Sequence, residues 1–247
     1  MKNSKEYSLK IKNLYKSLKK KSPKIQPVKF DDPLEAIIFG LIAENTTQKN
    51  AEDAYKRLNT DFVDINDLRV SSLTEIMEML GSQDQLAKDS AQRIKTVLKD
   101  IFERHNELTL EGLKKIGKKP AKKTVDKTQG VSQFASNYCF LTALGGHSIP
   151  LTEKMAKFLK ENELVHPDAD NSDMSGFLER QISAKDNYEF YILLRKEAEI
   201  VKAVKKTEKK KSVKKASPKK TTKTKPEKVL KTKKKVKKKA KKSKKKG

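Results

Sequence analysis

An all-α fold is predicted by three observations: apolar residues recur at helical spacing as far as about residue 203, helix-start and helix-stop residues flank those stretches, and no segment sustains period-two alternation. Near 5–20, Leu9, Ile11, Leu14, Tyr15 and Leu18 make a basic amphipathic helix. Asp32-Pro33-Leu34-Glu35 is a helix start, with an N-cap carboxylate, proline at the first helical position and an acid three residues after the cap. Leu34, Ile37, Ile38, Leu41 and Ile42 then keep the i, i+3, i+4, i+7, i+8 rule of a core helix. A helix is read at 51–58, and a looser one on Leu73, Ile76 and Leu80 is closed by Gly81. Ile94, Val97, Leu98, Ile101 and Phe102 follow a cap placed at Ser90. Further helices are expected at 133–144, 152–160, 174–183 and 187–203, which makes roughly eight to ten in all, with ends uncertain by ~2–4 residues.

Charge divides the chain. Of its 247 residues, 58 are Lys or Arg and 32 Asp or Glu, a net charge of +26 that directs it to polyanions. Residues 205–247 hold 24 lysines and only Glu208 and Glu227 as acids, so this stretch carries +22 and residues 1–204 only +4. The expected organisation is a folded region over 1–204, one core or two small lobes sharing one, and a lysine-rich tail over 205–247 with too little to bury to fold alone. No run of apolar residues is long enough to span a membrane, and MKNSKEYS lacks the apolar stretch of a secretory signal. An intracellular protein without a membrane partner is expected. The single cysteine, Cys139, lies in an apolar run and supports neither a disulfide nor a zinc site. His105, His147 and His166 lack metal-ligand spacing, and the acidic stretch 166–173 lacks the glycine and terminal glutamate of a calcium loop, so no metal site is expected and a surface loop is read there.

Three segments in order carry a resemblance. DPLEAIIFGLIAENTTQKNAEDAYKRL, LGSQDQLAKDSAQRIKTVLKDIFERHNEL with its His105-Asn106 pair, and TQGVSQFASNYCFLTALGGHSIPLTEKMAKFL resemble the first core helix, the His-Asn segment and the hairpin region of endonuclease III and its relatives, the helix-hairpin-helix DNA glycosylases of base excision repair. This resemblance covers about residues 8–200. It implies that Gly130, Val131, Ser132 and Gln133 form the DNA-binding hairpin, where glycine permits positive φ and the following helix aims backbone N–H groups at a phosphate. Serine stands at 132 where the family usually has a second glycine, and its hydroxyl could add a phosphate contact.

By the same resemblance, bifunctional members use a lysine that forms a Schiff base and all active branches an aspartate after the Gly/Pro loop. Those places fall on Phe134 and Leu151, which can do neither. The adenine-removing branch's glutamate falls on Gly40, and the cysteine set of the iron–sulfur cluster is missing, so no cofactor is expected. A second alignment, through Ile116-Gly117-Lys118-Lys119, would make Lys119 the nucleophile but throws the downstream similarity out of register. On the Gly130 alignment the lysine-rich segment 109–127 is an extra short helical hairpin whose Lys118, Lys119, Lys122, Lys123 and Lys127 face phosphate, or else a solvated charged face.

The tail's composition resembles that of linker-histone tails, which implies condensation of DNA by screening neighbouring duplexes. Lysine is a point charge that adds affinity without reading sequence, and the densest runs are Lys233-Lys234-Lys235 and Lys237-Lys238-Lys239. The expected function is binding of duplex DNA, bent or damaged, on a degenerate glycosylase fold, as a nucleoid- or chromatin-associated or repair-accessory protein. An active glycosylase or abasic-site lyase is the alternative, and a structured-RNA partner stays open.

Overall fold

A computed structural model describes residues 4–23 and 25–200, and every regular element within them is helical. The tail lysines Lys233, Lys234, Lys235, Lys237, Lys238 and Lys239, the boundary at 204 and the end of the helix expected over 187–203 lie outside the described residues. In chain order the helices are α1 (Ser4–Lys21), α2 (Pro33–Glu44), α3 (Gln48–Asp61), α4 (Ile65–Val70), α5 (Leu73–Leu80) and α6 (Gln85–His105). A 3-10 turn (Glu111–Lys115) leads to α7 (Lys118–Lys127), α8 (Gln133–Thr142), α9 (Glu153–Glu161), α10 (Asn171–Gln181) and α11 (187–200). None of them is long and apolar enough to cross a membrane.

Local chemistry sets most of the ends. Asp32 caps α2, its carboxylate accepting the Leu34 N–H at 2.8 Å with Pro33 at the first position. It also accepts the Leu110 N–H at 3.0 Å and the Thr109 hydroxyl at 2.5 Å, so one carboxylate joins the start of α2 to the chain leaving α6. Ser72 and Glu75 form a reciprocal capping box on α5, and Gly81 ends that helix at φ 73°. The cap expected at Ser90 is instead Asp84, which accepts the Ala87 N–H at 2.8 Å and starts α6 five residues earlier. Ser90 is buried inside α6, where its hydroxyl accepts from the Asn45 amide at 3.2 Å.

α2 lies at the centre. Leu34, Ile37, Ile38, Leu41 and Ile42 are each at most 2% exposed, and each such burial contributes about 1.5–3 kcal/mol. α8 packs against it so closely that a Cβ at Gly40 would stand 2.8 Å from the Ala135 Cα. Position 40 therefore has no room for any side chain, a glutamate included.

The C-terminal helices close onto this pair. Arg195 of α11, 1% exposed, donates to the Ala43 and Thr46 carbonyls at 2.7 and 3.0 Å, to the Tyr191 hydroxyl at 2.8 Å and to Glu199 at 3.0 Å. A buried guanidinium is tolerated because its donors are matched in this way, and here they hold α11 to the C-terminal end of α2. α1 buries Ile11 and Leu18 and is fastened by Ser8 donating to Gln181 of α10 and by Tyr15 and Lys19 donating to Glu189 of α11 at 2.5 and 2.6 Å.

Candidate nucleic-acid interface

α7, the turn at 128–132 and α8 make a helical hairpin. Gly130 sits at φ 85°, and a Cβ there would come 3.0 Å from the Arg93 carbonyl and from Thr96 Cβ, both on α6. Conformation and close approach thus both require glycine. Asp100 of α6, a buried carboxylate, accepts the Gln129 N–H at 3.1 Å while pairing with Arg104 at 2.8 Å, which fixes the turn to α6. Val131 N–H bonds the Thr128 carbonyl at 3.3 Å.

Ser132 is the N-cap of α8: its hydroxyl oxygen accepts the Ala135 N–H at 3.0 Å, and the residue is 8% exposed. The hydroxyl is thereby turned into the helix, so the hairpin offers a phosphate its backbone N–H groups and the helix N-terminus, with Gln133 exposed beside them.

The lysines of α7 separate into two groups. Lys119, Lys123 and Lys127 are exposed and carry no ion pair among the described residues. Lys118 donates to the Gly145 carbonyl, and Lys122 is spent on Asp126 at 2.6 Å and on Ser136 of α8 at 2.8 Å. The Lys122–Asp126–Ser136 cluster ties the two arms of the hairpin together. Gly117, at φ 86°, makes a second glycine turn at the start of α7, but nothing packs on it closer than Pro120 at 4.0 Å and Ile116 beside it is half exposed. Only the Gly130 turn is seated against another helix.

Phe134 and Leu151, 3% and 7% exposed, line one narrow cavity of about 110 Å³ with Glu44, Gln133, Asn137, Asn171 and Ser175. The Phe134 ring stacks on Tyr138 at 6.2 Å and lies 5.9 Å from the Arg195 guanidinium. A wider cleft of about 460 Å³ shares Gln133, Asn137 and Ser175 with it and is bordered by Lys122, Asp126, Phe140, His147 and Glu179. Lys119 lines neither. Glu179 accepts from Ser148 at 3.1 Å and from Ser175 at 3.2 Å, so it serves to shape the loop after α8. Sequence reasoning passed over Glu44, Asn137 and Asn171, which gather here from α2, α8 and α10.

Among the described residues no group of three or more histidine, cysteine, aspartate or glutamate side chains is arranged to hold a metal. Cys139 is buried against the Pro33 carbonyl, and burial pushes its thiol up to about 12, so it is protonated at neutral pH. One such cysteine does not fit a four-thiolate iron–sulfur cluster. The acidic stretch 166–173 is only partly the loop expected, since Asp170 caps α10 by accepting the Asp173 N–H at 2.7 Å.

No family model matches the chain, and no curated protein matches it in sequence. Its fold is another matter. A trapped endonuclease III–DNA covalent intermediate superposes with a TM-score of 0.59 at 16% identity, covering 76% of this chain and 84% of that one. The Clostridium acetobutylicum 8-oxoguanine glycosylase/lyase in complex with DNA gives 0.59 at 13% identity over 80% and 71%, and the H. pylori 3-methyladenine DNA glycosylase gives 0.55 at 14% over 76% and 94%. Such identities establish architecture and leave chemistry to the site. The chain has the all-helical fold of the endonuclease III-like, helix-hairpin-helix DNA glycosylases.

Proposed function

We propose that this protein binds duplex DNA through the Gly130 hairpin and its lysine-rich tail and does not excise bases. The observation that carries the reading is the pairing of an intact binding device with an emptied chemical one. The hairpin is anchored by Asp100, opens into a capped helix and is flanked by the partner-free Lys119, Lys123 and Lys127. The cavity next to it presents Phe134 and Leu151 where the resemblance puts lysine and aspartate. Phenylalanine forms no imine and leucine stabilises no cation, so neither a Schiff base nor an oxocarbenium-like charge finds support from these two positions.

Solved proteins of the same fold are seen on DNA, which supports the duplex as ligand. The tail supplies affinity for phosphate without sequence preference, and tethering it to the folded region raises the DNA concentration which that region meets. The role that follows is nucleoid- or chromatin-associated, or accessory to repair at bent or damaged duplex.

Borohydride trapping on abasic duplex DNA tests the silent chemistry. Residues 1–204 are used, because the amines of a flexible lysine tail nick abasic DNA without any active site. Tight binding without a covalent adduct is expected. An adduct abolished by Lys119→Ala would restore the lyase and overturn the reading.

A further inference from the structure

Ionisable side chains in the interior of this fold are matched to partners: Asp32, Asp100, Glu179 and Arg195 each hold two or more hydrogen bonds or ion pairs. The cavity at Phe134 and Leu151 departs from that pattern. Glu44, Gln133, Asn137 and Asn171 line it from three separate helices, and none of these four side chains makes a hydrogen bond or ion pair among the described residues. Glu44 is the most costly of them to leave so. It is the last residue of α2, where a carboxylate meets the negative end of the helix dipole. Folding alone gives no reason for an acid at that point.

We propose that this cavity holds an unpaired nucleobase and that Glu44 selects a guanine edge. The assignment rests on the DNA-binding reading above and adds the ligand and the residue that discriminates it. Its walls suit a flat heteroaromatic ring, with the Phe134 ring and Leu151 as apolar surfaces and a few convergent polar groups between them. A carboxylate only accepts hydrogen bonds, so it requires neighbouring N–H donors. Guanine presents two side by side, N1–H and the exocyclic N2–H, and its O6 can accept from the amide of Gln133 or Asn137. Thymine would bring a carbonyl oxygen against the carboxylate, a repulsive match. That guanine edge is occupied in a paired duplex, so the base must arrive extruded from the stack or free in solution.

Binding of the full chain to duplexes carrying a single bulged guanine or a single bulged thymine tests this, at salt high enough to screen the tail. A preference of roughly tenfold for the bulged guanine is expected, the size of one good two-bond base contact, and Glu44→Gln should abolish it. Because the readout is a ratio of two affinities, a general loss of binding does not imitate the result. Equal affinities in the native chain, or a preference that survives Glu44→Gln, would overturn the assignment. Failure to bind any duplex would instead sink the DNA-binding reading itself. Guanosine as competitor identifies the source: displacement of the bulged duplex shows that the free base edge suffices, and preference without displacement shows that the strand must deliver the base.

Discussion

Serine at 132 and glycine at 130 divide the labour of the hairpin. Gly130 supplies the positive φ and the close seat on α6, while Ser132 spends its hydroxyl on the first turn of α8. The sequence suggested a phosphate contact for that hydroxyl, and the structure gives it a capping bond. Ser132→Ala should therefore cost about 1 kcal/mol of stability and Ser132→Gly only a few tenths, as for other N-caps, in chemical denaturation. Were the hydroxyl a phosphate ligand, both variants would instead weaken duplex binding alike. Residues of this kind were partly legible. Asp32, Pro33 and Gly81 announce themselves because caps and stops have narrow residue preferences. Asp84 did not, because Leu86, at 52% exposure, lies off the apolar stripe and the pattern only becomes regular from Ile94 onwards. Glu44 was invisible for a different reason: a charged residue at the end of an apolar helix reads as solvent-facing until α8 and α10 are seen to enclose it.

Among the elements, α1 shows how a short basic helix is held by few contacts. Tyr15 and Lys19 both donate to Glu189, and these hydrogen bonds, Lys19 first, keep the Glu189 carboxyl below the ordinary carboxylate range. A depressed folded-state value stabilises the protein above the unfolded value, about 4.3, and that stabilisation is lost as pH falls through the lower folded value. Glu189→Gln should accordingly be less stable than the native chain at neutral pH, and the difference should shrink in urea titrations run progressively below about pH 4. A difference that persists at low pH would show that the contact acts through packing and not charge. Helix identity was legible from period alone for α2, α5 and α6, whereas α4 was missed because six residues are too few to establish a period. The lysine-rich segment 109–127 was seen as an added hairpin. The structure makes α7 one arm of the Gly130 hairpin itself, clasped to α8 by Lys122, Asp126 and Ser136, a tertiary bond that lysine content does not reveal.

At the scale of the whole molecule, charge and fold are separable. Residues 1–204 carry a net charge of +4 and residues 205–247 +22. The folded region has the architecture of proteins that grip DNA with a hairpin, and the tail is a store of phosphate-binding charge with a reach of at least about 35–40 Å as a flexible chain. If ~10 tail lysines each neutralise a phosphate, log affinity should fall against log salt with a slope near −9. The most direct measurement is duplex affinity against salt concentration for the full chain beside residues 1–204. A steep slope that collapses on truncation, with measurable duplex binding left in residues 1–204, is the result expected of a hairpin and a tail acting together. A slope unchanged by truncation, or no duplex binding by residues 1–204 at low salt, would contradict it.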